Sequence, residues 1–160
     1  MSEVYFTSDL HLGYNYMAGL RKYPSLEAHD DAIFATLTPL TKSDVLYVLG
    51  DAIHDHLNLQ RFSKLRCRKI LVAGNHDHFD ALHYLSAFEN IRGIVKYKNF
   101  WLTHMPIHPF EMRDCLGNIH GHVRRDGDTQ KITDPSYFNV NFEKRRRPIC
   151  LEEIKQGMGL

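Results

Sequence analysis

Val45-Leu46-Tyr47-Val48-Leu49-Gly50-Asp51 is an apolar run that stops abruptly at a glycine and a carboxylate. It is short, it follows Asp44, and it contains no charged residue, as expected of a strand covered on both faces. Two other stretches repeat the pattern. Val4-Tyr5-Phe6-Thr7 runs into Ser8-Asp9-Leu10-His11, and Lys69-Ile70-Leu71-Val72-Ala73 runs into Gly74-Asn75-His76-Asp77. Between them lie segments with helical spacing. Ser25 to Leu40 carries Leu26, Ile33, Leu37 and Leu40, with Pro24 before it and Pro39 near its end. Leu57 to Leu65 predicts a second helix and Ala81 to Phe88 a short third. Strands that alternate with helices imply right-handed crossovers and a parallel sheet.

Beyond Phe88 the pattern turns mainly β. Ile94 to Thr103 predicts a hairpin with Lys98-Asn99 at its turn, and Asn118-Ile119-His120 enters a histidine cluster. Asp126-Gly127-Asp128 reads as a turn, Tyr137 to Phe142 as a strand, and Leu151 to Gln156 as a closing helix or turn. These trailing segments call for a second sheet or antiparallel additions. The expected fold is α/β: two sheets packed together with helices outside.

The chain has 160 residues, which fits one domain spanning 1–160. A hydrophobic fraction of 43% excludes disorder, and no apolar run is long enough to span a membrane. With a net charge of +1 there is no global pull toward nucleic acid or anionic lipid. The cysteines Cys67, Cys115 and Cys150 are odd in number and form no C-x-x-C pair, which argues against a disulfide framework and a thiolate zinc site. Met1 to Tyr5 does not open a signal peptide, so a cytoplasmic location is expected. The unusual figure is 11 histidines, most of them beside Asp, Asn or Gly.

Each apolar strand ends in a cluster able to ligate a metal: Asp9-Leu10-His11, Gly50-Asp51, Gly74-Asn75-His76-Asp77, Thr103-His104 and His120-Gly121-His122. The carboxyl ends of parallel strands share one edge of a sheet, so these clusters converge there. The donors are oxygen and imidazole nitrogen, a set suited to Mn²⁺, Fe²⁺, Zn²⁺ or Ni²⁺. A pair of divalent ions needs a shared carboxylate, and Asp51 is the natural bridge. Asp9 and His11 would hold one ion; Asn75, His104 and His122 would hold the other.

The ordered string D-x-H, G-D, G-N-H-D, H, G-H from Ser8 to His122 resembles the calcineurin-like metallophosphoesterases, and Tyr137-Phe138-Asn139-Val140 resembles the closing strand of their small bacterial and phage members. The resemblance implies a four-layer αββα sandwich and two divalent metals, with manganese first in order of expectation. It also implies hydrolysis of phosphate esters by a metal-activated hydroxide. His76 matches the general acid at the leaving oxygen and Asp77 the carboxylate that orients it; Asn75 and His76 would also touch substrate.

One position departs from the pattern. Where the family writes G-H-x-H, this chain has Gly121-His122-Val123-Arg124. A protonated arginine cannot ligate a cation. His120 could replace the missing nitrogen, water could fill the gap and leave the first site weak, or Arg124 could grip the substrate phosphate as a bidentate fork. The expected activity is a small, cap-less phosphodiesterase acting on nucleotide-like or cyclic-nucleotide substrates. Its rivals are a nuclease on nucleic acid and a catalytically silent protein-binding scaffold. His54, His56 and His78 read as rim residues, His108 as part of a proline loop, and His29 and His83 as helix-face residues. Lys144-Arg145-Arg146-Arg147 reads as a solvated turn.

Overall fold

The computed structural model describes residues 2–124 and 132–160, so the expected turn at Asp126-Gly127-Asp128 lies outside the described residues. Two sheets carry the chain. The first has the order β4-β3-β2-β1-β9, from strands β1 (Val4–Thr7), β2 (Val45–Val48), β3 (Arg68–Val72), β4 (Asn90–Arg92) and β9 (Ile149–Cys150). Its first four strands pair in parallel and β9 runs antiparallel to β1. The second sheet has the order β5-β6-β7-β8, from β5 (Val95–Tyr97), β6 (Phe100–Thr103), β7 (Gly117–His120) and β8 (Tyr137–Asn139).

Side-chain alternation along β2 explains the layering. Leu46 and Val48 join the core under the helices with Ile33, Phe34, Leu37, Leu59 and Phe62. Tyr47 and Leu49 face the opposite way, into a core shared with Phe100, Leu102, Ile119 and Phe138 of the second sheet. A strand buried on both faces is what the continuous apolar run requires. Helices α2 (Leu26–Leu37) and α3 (His56–Ser63) begin where Ser25 and Asp55 accept hydrogen bonds from the amides of Ala28 at 3.1 Å and Asn58 at 2.6 Å.

The β5-β6 hairpin turns through Lys98 and Asn99 as expected, both at positive φ, 45° and 65°, the backbone of a tight primed turn. Beyond it β6, β7 and β8 are parallel to one another, so the second sheet also presents strand ends on one edge. The expected strand from Tyr137 to Phe142 is shorter. It ends at Asn139, and Asn141 caps a short helix α5 (Phe142–Arg145) by accepting from the Glu143 amide. Helix α1 (Asn15–Leu20), strand β4 and strand β9 were not legible as periodic segments; α4 (Ala81–Tyr84) and α6 (Leu151–Gly157) fall where short helices were expected. Among the described residues no helix is long and apolar enough to cross a membrane.

Candidate metal centre

The strand-end loops are held in an uncommon backbone. Asp9, His11, Asp51 and His122 all have positive φ, at 56°, 50°, 54° and 63°. Asp and His tolerate this left-handed region better than branched residues, at a cost of order 1–3 kcal/mol each. Cross-loop hydrogen bonds hold it in place. The amides of Asp9, His11 and Leu12 donate to the carbonyls of Gly50, Asp51 and Ala52 at 2.9, 2.9 and 3.0 Å. Gly50, at φ +83°, lets the loops close: a Cβ there would stand 2.5 Å from His104 Nδ1. At Gly121 a Cβ would fall 2.5 Å from Asp9 Oδ2.

The donors form two groups that share Asp51: Asp9, His11 and Asp51, and Asp51, His104 and His122, each set within 4.8 Å. His104 Nδ1 lies 2.8 Å from the Leu49 carbonyl and donates to it, leaving Nε2 with its lone pair. That nitrogen faces Asn75 Oδ1 at 2.9 Å, His122 Nδ1 at 3.2 Å and Asp51 Oδ2 at 3.4 Å. His11 Nε2 points toward Asp51 Oδ2, 3.7 Å away, and is buried with no hydrogen-bond partner among the described residues. A buried polar atom without a partner is rare, and a divalent cation between these donors would satisfy it. The residues therefore fit a metal.

Electrostatics agree. Burial pushes the Asp9 carboxyl up to about 6, against the opposing pull of His104. Burial works against the Asp51 carboxylate too, but the neighbouring His104, the His76 amide and His11 together hold its pKa below the usual range. Burial keeps His11 neutral, with its lone pair free. Buried carboxylates beside neutral imidazoles are ready-made cation ligands.

A model of the calcineurin-like phosphoesterase family matches residues 2–155. The chain belongs to that family. Its members are hydrolases of phosphate esters, and the Asp/His clusters suit the divalent metal such enzymes use. The gene 66 protein of Mycobacterium phage D29 is 24% identical over 192 aligned positions, taking in 98% of this chain and 96% of the phage protein. AQ665 from Aquifex aeolicus, a protein of unknown function with a crystal structure, superposes with a TM-score of 0.80 at 28% identity, covering 98% of this chain and 99% of its own.

Around the donors, this phosphoesterase places the other expected residues unevenly. The His76 amide donates to Asp51 Oδ1 at 2.8 Å, and its ring stands edge-on to His11 with centroids 5.7 Å apart. Asn75 is exposed beside His104. Asp77 does not orient the His76 ring. Its Oδ2 accepts from the amides of Gly74 at 2.7 Å and Asp51 at 2.9 Å, and its Oδ1 from the Ala52 amide at 2.9 Å and the Tyr84 hydroxyl at 3.3 Å. It pins the β2 and β3 loops together instead. His120 is not brought to the donors either. It lies in the core, its Nδ1 2.8 Å from the Gly121 carbonyl and its ring edge-on to Tyr137, and burial draws its pKa down to about 4. Arg124 stands near enough to His11 and His122 that its charge disfavours a proton on either.

Two supports were not legible in the sequence. His54, expected at the rim, places Nε2 3.0 Å from His11 Nδ1 and stacks on Tyr14 at 4.6 Å, so it fixes the His11 ring. Arg21 is buried. It donates to the carbonyls of Asp9 at 2.6 Å and Leu10 at 2.9 Å, and its Nη1 lies 2.9 Å from His29 Nε2. His29 lies on α2 as expected, wholly buried, and bonds Asp30 at 2.7 Å. Asp30 in turn receives the Gly13 amide and Asn58 Nδ2. No periodicity signals such a network, because it joins α1, α2 and α3 behind one loop.

Proposed function

We propose that this protein hydrolyses phosphodiesters of the nucleotide type at a dinuclear metal centre. The observation that carries the reading is the pair of donor groups sharing Asp51. Asp9, His11 and Asp51 would hold the first ion; Asp51, Asn75, His104 and His122 would hold the second. Among the described residues the first set lacks a further imidazole ligand, since His120 is turned into the core and position 124 is arginine. An incomplete protein shell is what a catalytic, rather than structural, site keeps.

Divalent ions bound there supply Lewis acidity toward phosphoryl oxygens and lower the pKa of water. The protein's own groups do the rest. His54 and the Leu49 carbonyl hold the rings of His11 and His104 in one orientation. His76, half-buried and free of a side-chain hydrogen bond among the described residues, would give a proton to the leaving oxygen. Arg124 offers a fork to phosphate oxygens of the substrate. Asn75 and His76 border open solvent, which suits a diester with two substituents.

The test is hydrolysis of bis-p-nitrophenyl phosphate by metal-stripped protein, with and without Mn²⁺, beside His76→Ala. Mn²⁺-dependent turnover lost in His76→Ala, with metal stoichiometry retained, is the expected result. No turnover with Mn²⁺, Ni²⁺ or Zn²⁺ would refute the reading.

A further inference from the structure

A second feature lies beside the metal donors. A cavity of about 390 Å³, within the range of ligand pockets, is lined by Leu20, Arg21, Lys22, Arg124, Glu143 and Arg146. Arg21 is spoken for: its guanidinium holds the Asp9 and Leu10 carbonyls, and its Nε pairs with Glu143 at 3.3 Å. That ion pair cancels. Lys22, Arg124 and Arg146 remain. Arg124 donates one N–H to the Met17 thioether, a weak acceptor, and the rest of its fork has no partner among the described residues. Neither Lys22 nor Arg146 makes an ion pair among the described residues.

Each cation alone has a bland explanation. Lys22 follows the end of α1 and Arg146 caps α5, both in the left-handed backbone at φ 61° and 60°. Helix ends attract cations, but the residue favoured in that backbone is glycine. Helix capping does not explain why these side chains and Arg124 all open onto one cavity. Nor does it explain why that cavity adjoins the metal loop, whose Asp9 carbonyl Arg21 touches from the cavity wall. Three cations gathered where the one lining carboxylate, Glu143, is already paired with Arg21, and with no other counter-charge among the described residues, call for an anion with several oxygens.

We infer that this cavity binds a second phosphate group of the substrate, one nucleotide unit away from the ester that is cleaved. The inference rests on the phosphodiesterase reading and narrows its substrate class. The preferred ester is part of a nucleotide that carries a further phosphate, as in a strand or a nucleoside bisphosphate, and not a lone cyclic or mononucleotide ester.

The experiment compares thymidine 5′-(p-nitrophenyl phosphate) with its 3′-phosphorylated derivative on the Mn²⁺-loaded protein. The added phosphate should raise kcat/KM about ten- to a hundredfold, the range of one charge-assisted hydrogen bond. Lys22→Gln with Arg146→Gln should erase that advantage, and Lys22→Arg should keep it. Equal kcat/KM for the two esters, or an advantage that survives the double variant, would overturn the inference while leaving the phosphodiesterase intact. Calorimetry on metal-stripped protein separates the two claims. Thymidine 3′,5′-bisphosphate binding at least tenfold tighter than the 5′-monophosphate, and losing that margin in the double variant, supports the cavity even where no ester is hydrolysed. Inorganic phosphate binding as tightly as the bisphosphate would instead make the cavity a site for the free anion and overturn the substrate assignment.

Discussion

Replacing Gly50 by alanine tests how tightly the strand-end backbone and the donor set are coupled. Two separable costs follow from the geometry. At φ +83° an L-residue is strained, by about 1–2 kcal/mol. The new Cβ would also lie 2.5 Å from His104 Nδ1 and 2.7 Å from Gly74 Cα, so the imidazole must retreat by roughly 1 Å to restore ordinary contact. Overpacking of this kind adds about 1–3 kcal/mol. The retreat lengthens the 2.8 Å bond to the Leu49 carbonyl that sets the His104 tautomer. Loss of such an orienting bond lowers metal affinity about 10–100-fold. Urea unfolding of metal-free protein should show a loss of about 2–5 kcal/mol, and competition against a chelating dye should show the weaker binding. Gly19→Ala is the control. Gly19 sits in α1 with nothing within 4 Å of the added Cβ, so the variant should gain about 0.5–1 kcal/mol. A Gly50→Ala protein that loses less than 0.5 kcal/mol and binds metal within twofold of wild type would refute the reasoning.

Arg21→Met removes the donors to the Asp9 and Leu10 carbonyls and leaves Glu143 without its partner, so unfolding should cost about 3 kcal/mol less than in wild type; a change under 1 kcal/mol in urea would count against the network. Asp77→Asn replaces one accepting oxygen with a donor facing amide donors, so metal-free stability should fall by about 1–3 kcal/mol; a normal melting curve with only the alkaline limb of the rate profile changed would restore Asp77 as the partner of His76. His120 is held neutral by burial down to about pH 4 against 6.5 when unfolded, so the unfolded chain binds the extra proton between those values. Stability should therefore be lost as pH falls from 6.5 through 4, by about 3 kcal/mol, and His120→Gln should lack that part of the slope in calorimetric scans of metal-free protein.

The strands that position the site were legible because each is short, apolar on both faces and cut off by a polar cluster. Leu46 and Val48 serve one core, Tyr47 and Leu49 the other, and the same uninterrupted pattern announces both. Helix α1 was not legible: Asn15–Leu20 is too short for periodicity, and only Met17 and Ala18 are buried. The edge strand β4 and the two-residue β9 are defined by pairing with β3 and β1, not by composition. Tyr137 to Phe142 alternates like one strand, yet the Asn141 side chain caps the amide of Glu143 and the chain turns into α5. A local side-chain bond there outweighs the β pattern.

Within the site, the motif spacing located donors but could not orient their neighbours. Asp9, His11, Asp51, His104 and His122 converge because they follow the ends of four strands, β1 and β2 in one sheet and β6 and β7 in the other. His76 and Asp77 are adjacent in sequence, and adjacency suggested partnership. In the folded loop Asp77 closes a tight turn onto the Gly74 amide and reaches across to Asp51 and Ala52, which uses up its oxygens. His120 and His122 pose the same problem from the other side. They are two apart, so a regular strand would point both at the metals. The left-handed backbone at His122, φ 63°, breaks that alternation, so His122 joins the donors while His120, the last residue of β7, stays buried. The same break carries the chain on to Arg124 at the cavity wall. A residue that departs from the family pattern by one position thus leaves the metal shell and joins the neighbouring group of cations. Substitution at position 124 should accordingly be felt first in the choice of substrate and only secondarily in metal retention.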